Sequence, residues 1–286
     1  ITTWGESHGA AIGVVIDGCP AGLSLSESDI QAFLDRRRPG QSRYTTKRSE
    51  TDQVEILSGI FEGKTTGTPI SLLVRNQDQR SRDYGEIASC YRPGHADYTF
   101  QNKYGFRDYR GGGRTSGRET IGRVAAGAVA SALLKTLGIE LTAFSKSIGP
   151  VTVPESEYRL DEVTENPLYM PNNGLAKKAA DYLNEMMEQK DSCGGIIECR
   201  VTGLPVGLGE PVFDKLDAQL SKGIMSIGAV KAVEIGDGFL AAASNGSTNN
   251  DAFAVQDGQM IKRTNHSGGV LGGISDGSEL IVRAAI

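Results

Sequence analysis

The segment from Arg110 to Thr120 constrains this chain most, because it joins a run of glycines to a long stretch of small apolar residues. It reads Arg-Gly-Gly-Gly-Arg-Thr-Ser-Gly-Arg-Glu-Thr, with three arginines within nine residues. Glycine leaves backbone N–H groups open to a ligand, and arginine presents a planar cation that matches phosphate or carboxylate oxygens. Thr115 and Ser116 add hydroxyl groups beside the predicted N-terminus of a helix, where an anion is favoured. The segment therefore predicts an anion-binding loop.

An isolated loop of this composition is also typical of an RNA-binding segment or of a plain surface loop. The residues that follow, 119–137, are mostly small and apolar, with no charge between Arg123 and Lys135. This pattern predicts a helix that is buried on every face, and hence a loop that is tied to a core. The segment matches neither the phosphate-loop motif nor a dinucleotide-binding glycine motif after a clear strand.

The composition is that of a soluble globular protein, with 286 residues, 38% hydrophobic and 23% charged. A formal net charge of −5 argues against a nucleic-acid partner, so the arginines are expected to act locally. The four cysteines lie far apart, which predicts reduced thiols in a cytoplasmic protein rather than a zinc site. No apolar run reaches membrane-spanning length, and no signal peptide is visible. Both ends fall inside predicted strands, so we expect the natural protein to continue beyond them.

A second cation-rich segment follows a short amphipathic helix predicted at 26–35. Pro39 and Gly40 end that helix and are expected to aim its arginines into a loop. Six cations lie in this segment: Arg36, Arg37, Arg38, Arg43, Lys47 and Arg48. A charge run is usually a solvated surface, but two arginine-rich loops in one acidic protein favour a small ligand that carries several negative charges.

Two histidines lie in glycine-containing turns, where an imidazole can exchange protons near neutral pH. His8 follows Ser7 and precedes Gly9, and His95 lies two residues before Asp97. Asp97 could orient a catalytic His95, or His95 could be a structural turn residue that its neighbour satisfies. The aromatic residues of 98–110 could wall a flat cofactor or belong to the core.

Hydrophobic periodicity predicts a mixed α+β chain. The predicted strands are 1–4, 10–17, a hairpin of 52–60 with 68–74, 141–148 and 195–203. The predicted helices are 26–35, 119–137, 175–189 and 213–221. Residues 75–86 are predicted to be a surface loop, and 225–233 and 238–242 complete a β-rich second half. Because no linker or internal repeat is visible, we expect a single domain over 1–286.

Six motifs together identify a family resemblance that covers essentially the whole chain. They are Gly5-Glu-Ser-His-Gly9, Arg36-Arg-Arg-Pro-Gly40, Arg92-Pro-Gly-His-Ala-Asp97, Gly111-Gly-Gly-Arg-Thr-Ser-Gly-Arg118, Met225-Ser-Ile-Gly-Ala-Val-Lys231 with Gly236-Asp-Gly-Phe239, and Asn265-His-Ser-Gly-Gly269 with Gly272-Gly-Ile274. In order and identity they closely resemble the chorismate synthase family. The resemblance implies a β-α-β sandwich with helices layered between antiparallel sheets.

The resemblance also implies the chemistry. It predicts a lyase that converts 5-enolpyruvylshikimate 3-phosphate to chorismate with reduced FMN, the last common step of aromatic amino acid biosynthesis in the shikimate pathway. NADPH is a candidate reductant of the flavin, and the family is homotetrameric. No nucleic-acid, membrane or metal partner is expected. A flavin reductase would share the FMN loops but would not need the cation-rich loop and two histidines beside glycines.

The resemblance assigns roles to matching residues. His95 is expected to protonate the departing phosphate and His8 to donate a proton to the reduced flavin. The expected FMN contacts are Arg114, Thr115, Ser116, Gly228, Ala229 and Gly272. The expected substrate contacts are Ser7, Arg37, Arg43, Arg48, Arg107 and Arg114.

Three of these assignments need qualification from the family pattern. Arg37 and Arg43 match positions that some members use for a nicotinamide nucleotide, and Gly228 stands where the family commonly has asparagine. His266 ranks third among the histidines as a site residue. The family's Arg-His-Asp-Pro-Cys and Lys-Pro-Thr motifs would follow Ile286, so a chain that ended there is expected to be inactive.

Overall fold

The computed structural model describes residues 1–46, 48–77 and 88–286. Lys47 and most of the surface loop predicted at 75–86 lie outside the described residues. The chain divides into two compact units, Ile1–Leu134 and Lys135–Ile286, each of which is described by itself. The single domain expected over 1–286 stays a prediction.

The first unit is built on a four-stranded antiparallel sheet. Its strands are β1 (Thr2–Gly5), β2 (Ala11–Ile16), β3 (Val54–Ser58) and β6 (Ile70–Arg75), with a small hairpin of β4 (Ile60–Phe61) and β5 (Lys64–Thr65) between β3 and β6. The spatial order is β1-β2-β6-β3, and Val14 of β2 lies opposite Thr3 and Leu72. The predicted strands and the antiparallel pairing of β3 with β6 are confirmed.

The helices in the described part of the first unit are α1 (Glu27–Arg37), α2 (Asp97–Tyr104) and α3 (Thr120–Thr136), of which α1 and α3 pack against this sheet. The side chain of Ser26 caps α1 by accepting from the N–H of Asp29, whose carboxylate in turn accepts from the N–H of Ser26. One buried cluster combines Ile30 and Leu34 of α1 with apolar residues of β2, β6 and α3.

The prediction that α3 is buried on every face is wrong. Its buried residues, among them Ile121, Ala125 and Val129, lie along one stripe that joins the core of the first unit. Ala130 is exposed, and Leu137, just beyond the helix, is 64% exposed. Two 3-10 turns, Gly113–Thr115 and Gly117–Glu119, also precede α3. The helix predicted over 119–137 is itself confirmed, with its start at Thr120 after these two turns.

The second unit is built on a five-stranded antiparallel sheet. Its strands are β7 (Glu140–Ile148), β8 (Val151–Thr152), β9 (Gly195–Thr202), β10 (Ala232–Ile235) and β15 (Leu280–Ala285), in the order β10-β15-β9-β7-β8. Two small hairpins pair β11 (Phe253–Gln256) with β12 (Gln259–Lys262) and β13 (Val270–Leu271) with β14 (Ile274–Ser275). The helices are α4 (Asn173–Gln189), α5 (Leu216–Met225) and α6 (Gly246–Asn249), with 3-10 helices at Glu155–Glu157, Leu160–Thr164 and Gly238–Ala243.

The second unit confirms strands β7 and β9 and helix α4, and corrects two other predictions. Residues 238–242 form a 3-10 helix, because positive φ angles at Gly236 and Gly238 turn the chain and the Glu234 carboxylate accepts from the N–H of Phe239. Helix α5 begins at Leu216 rather than at residue 213 and extends to Met225, so only the end of the predicted 225–233 segment is a strand.

The five-stranded sheet also buries a carboxylate. Glu198 is fully buried, and its two oxygens accept from Arg200 Nε at 2.8 Å and from Arg283 Nε at 2.7 Å. Burial, and then the charge of Glu198, raises the pKa of the neighbouring Tyr158. Among the described residues, no helix is both long enough and apolar enough to cross a membrane.

We predict that Leu34→Ala lowers the free energy of unfolding far more than Phe33→Ala. Leu34 is 0% exposed in the core of the first unit, whereas its neighbour Phe33 is 37% exposed. Truncating a buried leucine costs about 2–5 kcal/mol through lost transfer energy and a residual cavity, and the exposed residue should cost less than about 1 kcal/mol. Urea unfolding followed by circular dichroism measures both, and equal losses would contradict this core assignment.

Candidate active site

Two imidazole rings lie against consecutive residues of the glycine run. Gly111, Gly112 and Gly113 all have positive φ angles, of 64°, 85° and 52°. A Cβ atom on Gly111 would collide with the His8 ring, and one on Gly112 would lie 2.7 Å from Nε2 of His95. Glycine is therefore required twice over, by the backbone conformation and by the rings. The fold brings the two predicted histidines to one loop.

His95 is held by a buried carboxylate. Its Nδ1 lies 3.1 Å from Asp97 Oδ1 and 3.2 Å from Arg92 Nη2, and about a quarter of its side chain is exposed. Asp97 also accepts a hydrogen bond from Arg92 Nε at 2.7 Å and forms an ion pair with Arg107 Nη1 at 3.0 Å. Hydrogen bonds from Arg92 are the main cause that holds the pKa of Asp97 well below its usual range. Asp97 is thus a permanent anion that can orient the His95 ring.

His8 is a buried ring in a cationic environment. Arg48 donates from Nη1 to Ser7 Oγ at 3.1 Å and from Nη2 to the Ser7 carbonyl at 3.2 Å. Burial is the largest cause that lowers the pKa of His8, and the charge of Arg48 is the next. Asp108 acts in the opposite direction. His8 is therefore a stronger acid when protonated than an ordinary histidine.

A cavity of about 560 Å³ lies beside the glycine run. It is lined by four aromatic side chains, three arginines, three acids and small residues: Phe100, Tyr104, Phe106 and Tyr109; Arg107, Arg110 and Arg114; Glu6, Asp97 and Asp108; Ala96, Gly112, Gly113 and Thr115. Phe106 is 81% exposed, so this aromatic stretch does not form core as the alternative interpretation expected. Its side chains instead give the cavity an apolar wall.

The arginines of the glycine loop have separate partners. Arg110 is held by Asp108, with its Nε 3.0 Å from Oδ1. Arg114 donates from Nη1 to the Gly5 carbonyl at 2.8 Å and from Nη2 to Thr3 Oγ1 at 2.6 Å. Thr115 Oγ1 donates to the Gly112 carbonyl at 2.7 Å, and Ser116 Oγ accepts from the N–H of Arg118. The loop is thus internally braced, with Arg114 and Thr115 on the cavity wall.

The arginines of the 36–48 segment are not all free to face a ligand. Arg37 is the last residue of α1 and donates to Asp52 Oδ2 at 2.9 Å and to Thr120 Oγ1 at 3.1 Å. Arg48 forms a 2.6 Å ion pair with Glu50. Arg43 is exposed, with its guanidinium carbon 5.4 Å from the centre of the Tyr44 ring. Of the predicted substrate residues in this segment, the structure brings Arg48 next to Ser7 and His8.

Two acids that sequence reasoning did not select lie beneath these arginines. Glu50 and Asp52 have fully buried side chains, although they follow the most cationic segment of the chain. The sequence does contain a signal for them, because two acids at alternate positions directly follow a run of cations. If such acids are buried, each needs a cation as a partner. Arg92 was likewise not selected, although it contacts His95.

The remaining predicted residues lie in the second unit. Gly228, Ala229 and Gly272 occupy turns, with positive φ angles of 71° at Ala229 and 59° at Gly272. Among the described residues, no atom lies within 4 Å of a Cβ built on Gly228 or Gly272, so the backbone is open there. His266 Nδ1 lies 2.7 Å from Asp237 Oδ2. No group of three or more histidine, cysteine or acidic residues in the described part could hold a metal ion.

We predict that Arg48→Gln raises the pKa of His8 towards the ordinary value of 6.5 without reaching it. The substitution removes one cause of the lowered pKa, whereas burial, the larger cause, remains. NMR titration of the His8 ring measures the change, and Arg75→Gln, which breaks an exposed ion pair with Glu55, is the control. An unchanged or lowered pKa in Arg48→Gln would contradict the electrostatic assignment.

The comparisons with known proteins agree with this geometry. A family model described as chorismate synthase matches residues 1–286. The chorismate synthase of Agathobacter rectalis is 64% identical over 286 residues, which are all of this chain and 78% of that protein. The chorismate synthase of Opitutus terrae is 54% identical over 288 residues, covering 100% of this chain and 79% of that protein.

A solved structure supports the same conclusion and confirms the α+β fold class. It is described as a crystal structure of chorismate synthase, has a TM-score of 0.85 and 34% sequence identity, and covers 100% of this chain and 83% of that one. Identity of this level over the full chain, together with the two histidines on one glycine run, establishes the relationship. The chain belongs to the chorismate synthase family.

Proposed function

We propose that the cavity beside the glycine run converts 5-enolpyruvylshikimate 3-phosphate to chorismate by eliminating phosphate and a ring C6 proton in the presence of reduced FMN. The family consists of lyases of the shikimate pathway, which leads to the aromatic amino acids. The observation that carries the proposal is the contact of His8 and His95 with consecutive glycines beside an arginine-lined cavity. Both proton-handling groups then act on ligands bound in one place.

Arginines recognise the substrate, which carries two carboxylates and a phosphate. Arg107 and Arg114 line the cavity and supply cations at its wall. Arg48 and Ser7 hold the buried side of the site next to His8. Arg37 contributes its positive charge through a position fixed by Asp52. Arg43 is exposed and would contact substrate or a nicotinamide nucleotide only from the outer edge of the site.

His95 is the acid that protonates the departing phosphate. When the ring is protonated, Nδ1–H donates to Asp97 and the proton on Nε2 is available to a phosphate oxygen. As the carbon–oxygen bond breaks, its electron pair goes to the phosphate and the Nε2 proton follows. After the transfer the neutral ring keeps its proton on Nδ1, which still donates to Asp97 Oδ1 at 3.1 Å. Both protonation states of His95 therefore have the same partner at Nδ1.

His8 lies on the buried side of the glycine run and would supply a proton to reduced flavin bound there. Its lowered pKa, caused mainly by burial, makes the protonated ring a stronger acid than that of an ordinary histidine. The His8 ring packs directly against Gly111, which limits its movement. Its neighbour Ser7 is anchored to Arg48, so the Ser7–His8 segment has a defined position.

The residues fit FMN. The aromatic cavity wall suits a flat ring, and Arg114 with Thr115 offers a cation and a hydroxyl group on that wall for a phosphate. Ser116 follows them in the chain and stays a predicted contact. In the second unit, Gly228 and Gly272 have open backbone and Ala229 lies in a turn, and their contact with FMN stays a prediction from the family resemblance. Reduced FMN, when bound, supplies electron density to the allylic centre and an acceptor for the C6 proton. NADPH as flavin reductant, a homotetrameric state and a cytoplasmic location belong to the proposal.

We predict that His95→Ala lowers kcat by about 100-fold to 10,000-fold, the range for loss of a general acid, while flavin affinity changes less than about threefold. Phosphate release from 5-enolpyruvylshikimate 3-phosphate, assayed with and without reduced FMN, measures turnover, and flavin fluorescence measures binding. The control is Asn102→Ala, because Asn102 is an exposed residue of α2 that does not line the cavity. Equal loss of turnover and flavin binding would remove His95 from the acid role.

A further inference from the structure

Three arginines from three separate segments meet at two buried carboxylates in the first unit. We refer to Glu50 and Asp52 as the carboxylate pair. Arg37 ends α1, Arg48 follows the loop after it, and Arg118 lies in the 3-10 turn before α3. Neither carboxylate faces the cavity, and neither takes part in the proton transfers proposed above. Their role is therefore not explained by the chemistry alone.

Asp52 joins two elements that are distant in sequence. Its Oδ2 accepts from Arg37 Nη1 at 2.9 Å, and its Oδ1 accepts from Arg118 Nη2 at 3.0 Å. The side chain is fully buried, and the residue has a φ of 46°, in the left-handed region that a residue with a side chain seldom adopts. Conformational strain retained at a buried carboxylate indicates that its exact orientation is needed.

Glu50 holds the third arginine. Its Oε1 lies 2.6 Å from Arg48 Nη2 and 4.0 Å from Arg118 Nη2, and its Oε2 accepts from the N–H of Gln77 at 2.9 Å. Arg48 in turn contacts Ser7, the residue before His8. The carboxylate pair and its three arginines carry a formal net charge of +1, because three cations face two anions.

One nitrogen of the Arg118 guanidinium group is buried without a hydrogen-bond partner among the described residues. Its side chain is only 6% exposed, and Nη1 has no hydrogen-bond partner among the residues that the structure describes. Its Nε and Nη2 are fixed by Asn76 and Asp52. Asn76 in turn donates from Nδ2 to the carbonyls of Glu6 and Gly9 at 2.9 Å and 2.8 Å, which places Arg118 next to the turn that carries His8. A buried, unpartnered guanidinium nitrogen beside a net positive cluster favours an anionic ligand.

From this arrangement we infer that Asp52 is a positioning residue. Its carboxylate fixes Arg37 and Arg118 so that the three arginines present a preformed anion-binding face beside His8. Glu50 fixes Arg48 in the same way. The inference rests on the proposed function for the identity of the anion, the phosphate or a carboxylate of the substrate. Preformed donors need no reorganisation when the ligand arrives, and this strengthens binding.

The direction in which Asp52→Asn changes the affinity for an anion distinguishes a positioning role from a purely electrostatic one. Asp52→Asn keeps the size of the side chain but removes a negative charge and one acceptor. If charge alone mattered, the cluster would become more positive and would bind an anion more tightly. If Asp52 positions the arginines, the anion binds more weakly, because Arg37 and Arg118 lose their common anchor. If Asp52 serves only stability, the melting temperature falls and anion affinity stays unchanged.

The experiment titrates inorganic phosphate into the full chain by calorimetry, without flavin or turnover. We expect Asp52→Asn to raise the Kd for phosphate about tenfold, equivalent to about 1.4 kcal/mol. Asp52→Glu, which keeps the charge but displaces the carboxylate, should also raise it. Glu55→Gln is the matched control, because it removes an acid that pairs with Arg75 at the exposed surface, and its Kd should not change.

Tighter or unchanged phosphate binding in Asp52→Asn would overturn the inference. If that variant does not fold, Glu50→Gln applies the same test to Arg48, with the same expected and contrary outcomes. In the enzymatic assay, the KM for the substrate should rise about tenfold in Asp52→Asn while kcat falls less than about threefold. If the natural wild-type protein bound phosphate but formed no chorismate with reduced FMN, the proposed function would be refuted, whereas the effect of Asp52→Asn on phosphate binding would still test the positioning role.

Discussion

The structure of the first unit depends on the burial of ionised groups in matched sets. A buried charge is tolerated only when partners and hydrogen bonds replace its water, and losing one partner strands the other. Asp97 meets this condition with Arg92 and Arg107, and Asp52 meets it with Arg37 and Arg118. Each carboxylate draws together arginines from separate segments. The buried carboxylates therefore fix the orientations of these arginine side chains.

The second unit uses the same device for a different purpose. Glu198 lies in the middle of the five-stranded sheet and accepts from Arg200 and Arg283, so the ion cluster crosses neighbouring strands. Those arginines have no uncommitted buried donor comparable to Nη1 of Arg118 in the part of the chain that the structure describes. Similar chemistry can therefore fasten a sheet in one place and prepare a binding surface in another, depending on whether a donor is left over.

Sequence periodicity predicted most of the longer elements, because local patterns determine them, but it missed α2 and placed the start of α5 too early. The serine cap of α1, the apolar run of β2 and the small residues of α3 are all contained in short windows. Tertiary partners were harder to predict. Arg37 was predicted as a ligand contact, but its pairing with Asp52, fifteen residues further along the chain, could not be predicted from the sequence. Burial of α3 on every face was also over-predicted, since small residues permit close packing on any face without requiring it. The family motifs identified the histidines, but only the fold shows that they share a loop.

The docking of His8 and His95 on adjacent glycines sets a length scale for the site. Neighbouring Cα atoms across a trans peptide are about 3.8 Å apart, so one peptide unit separates the two points on which the imidazoles rest. Because each imidazole lies against its own glycine, a side chain at either position would displace that ring from the loop. The separation between the two contact points is thus inherited from covalent geometry, which no exchange of a side chain can alter.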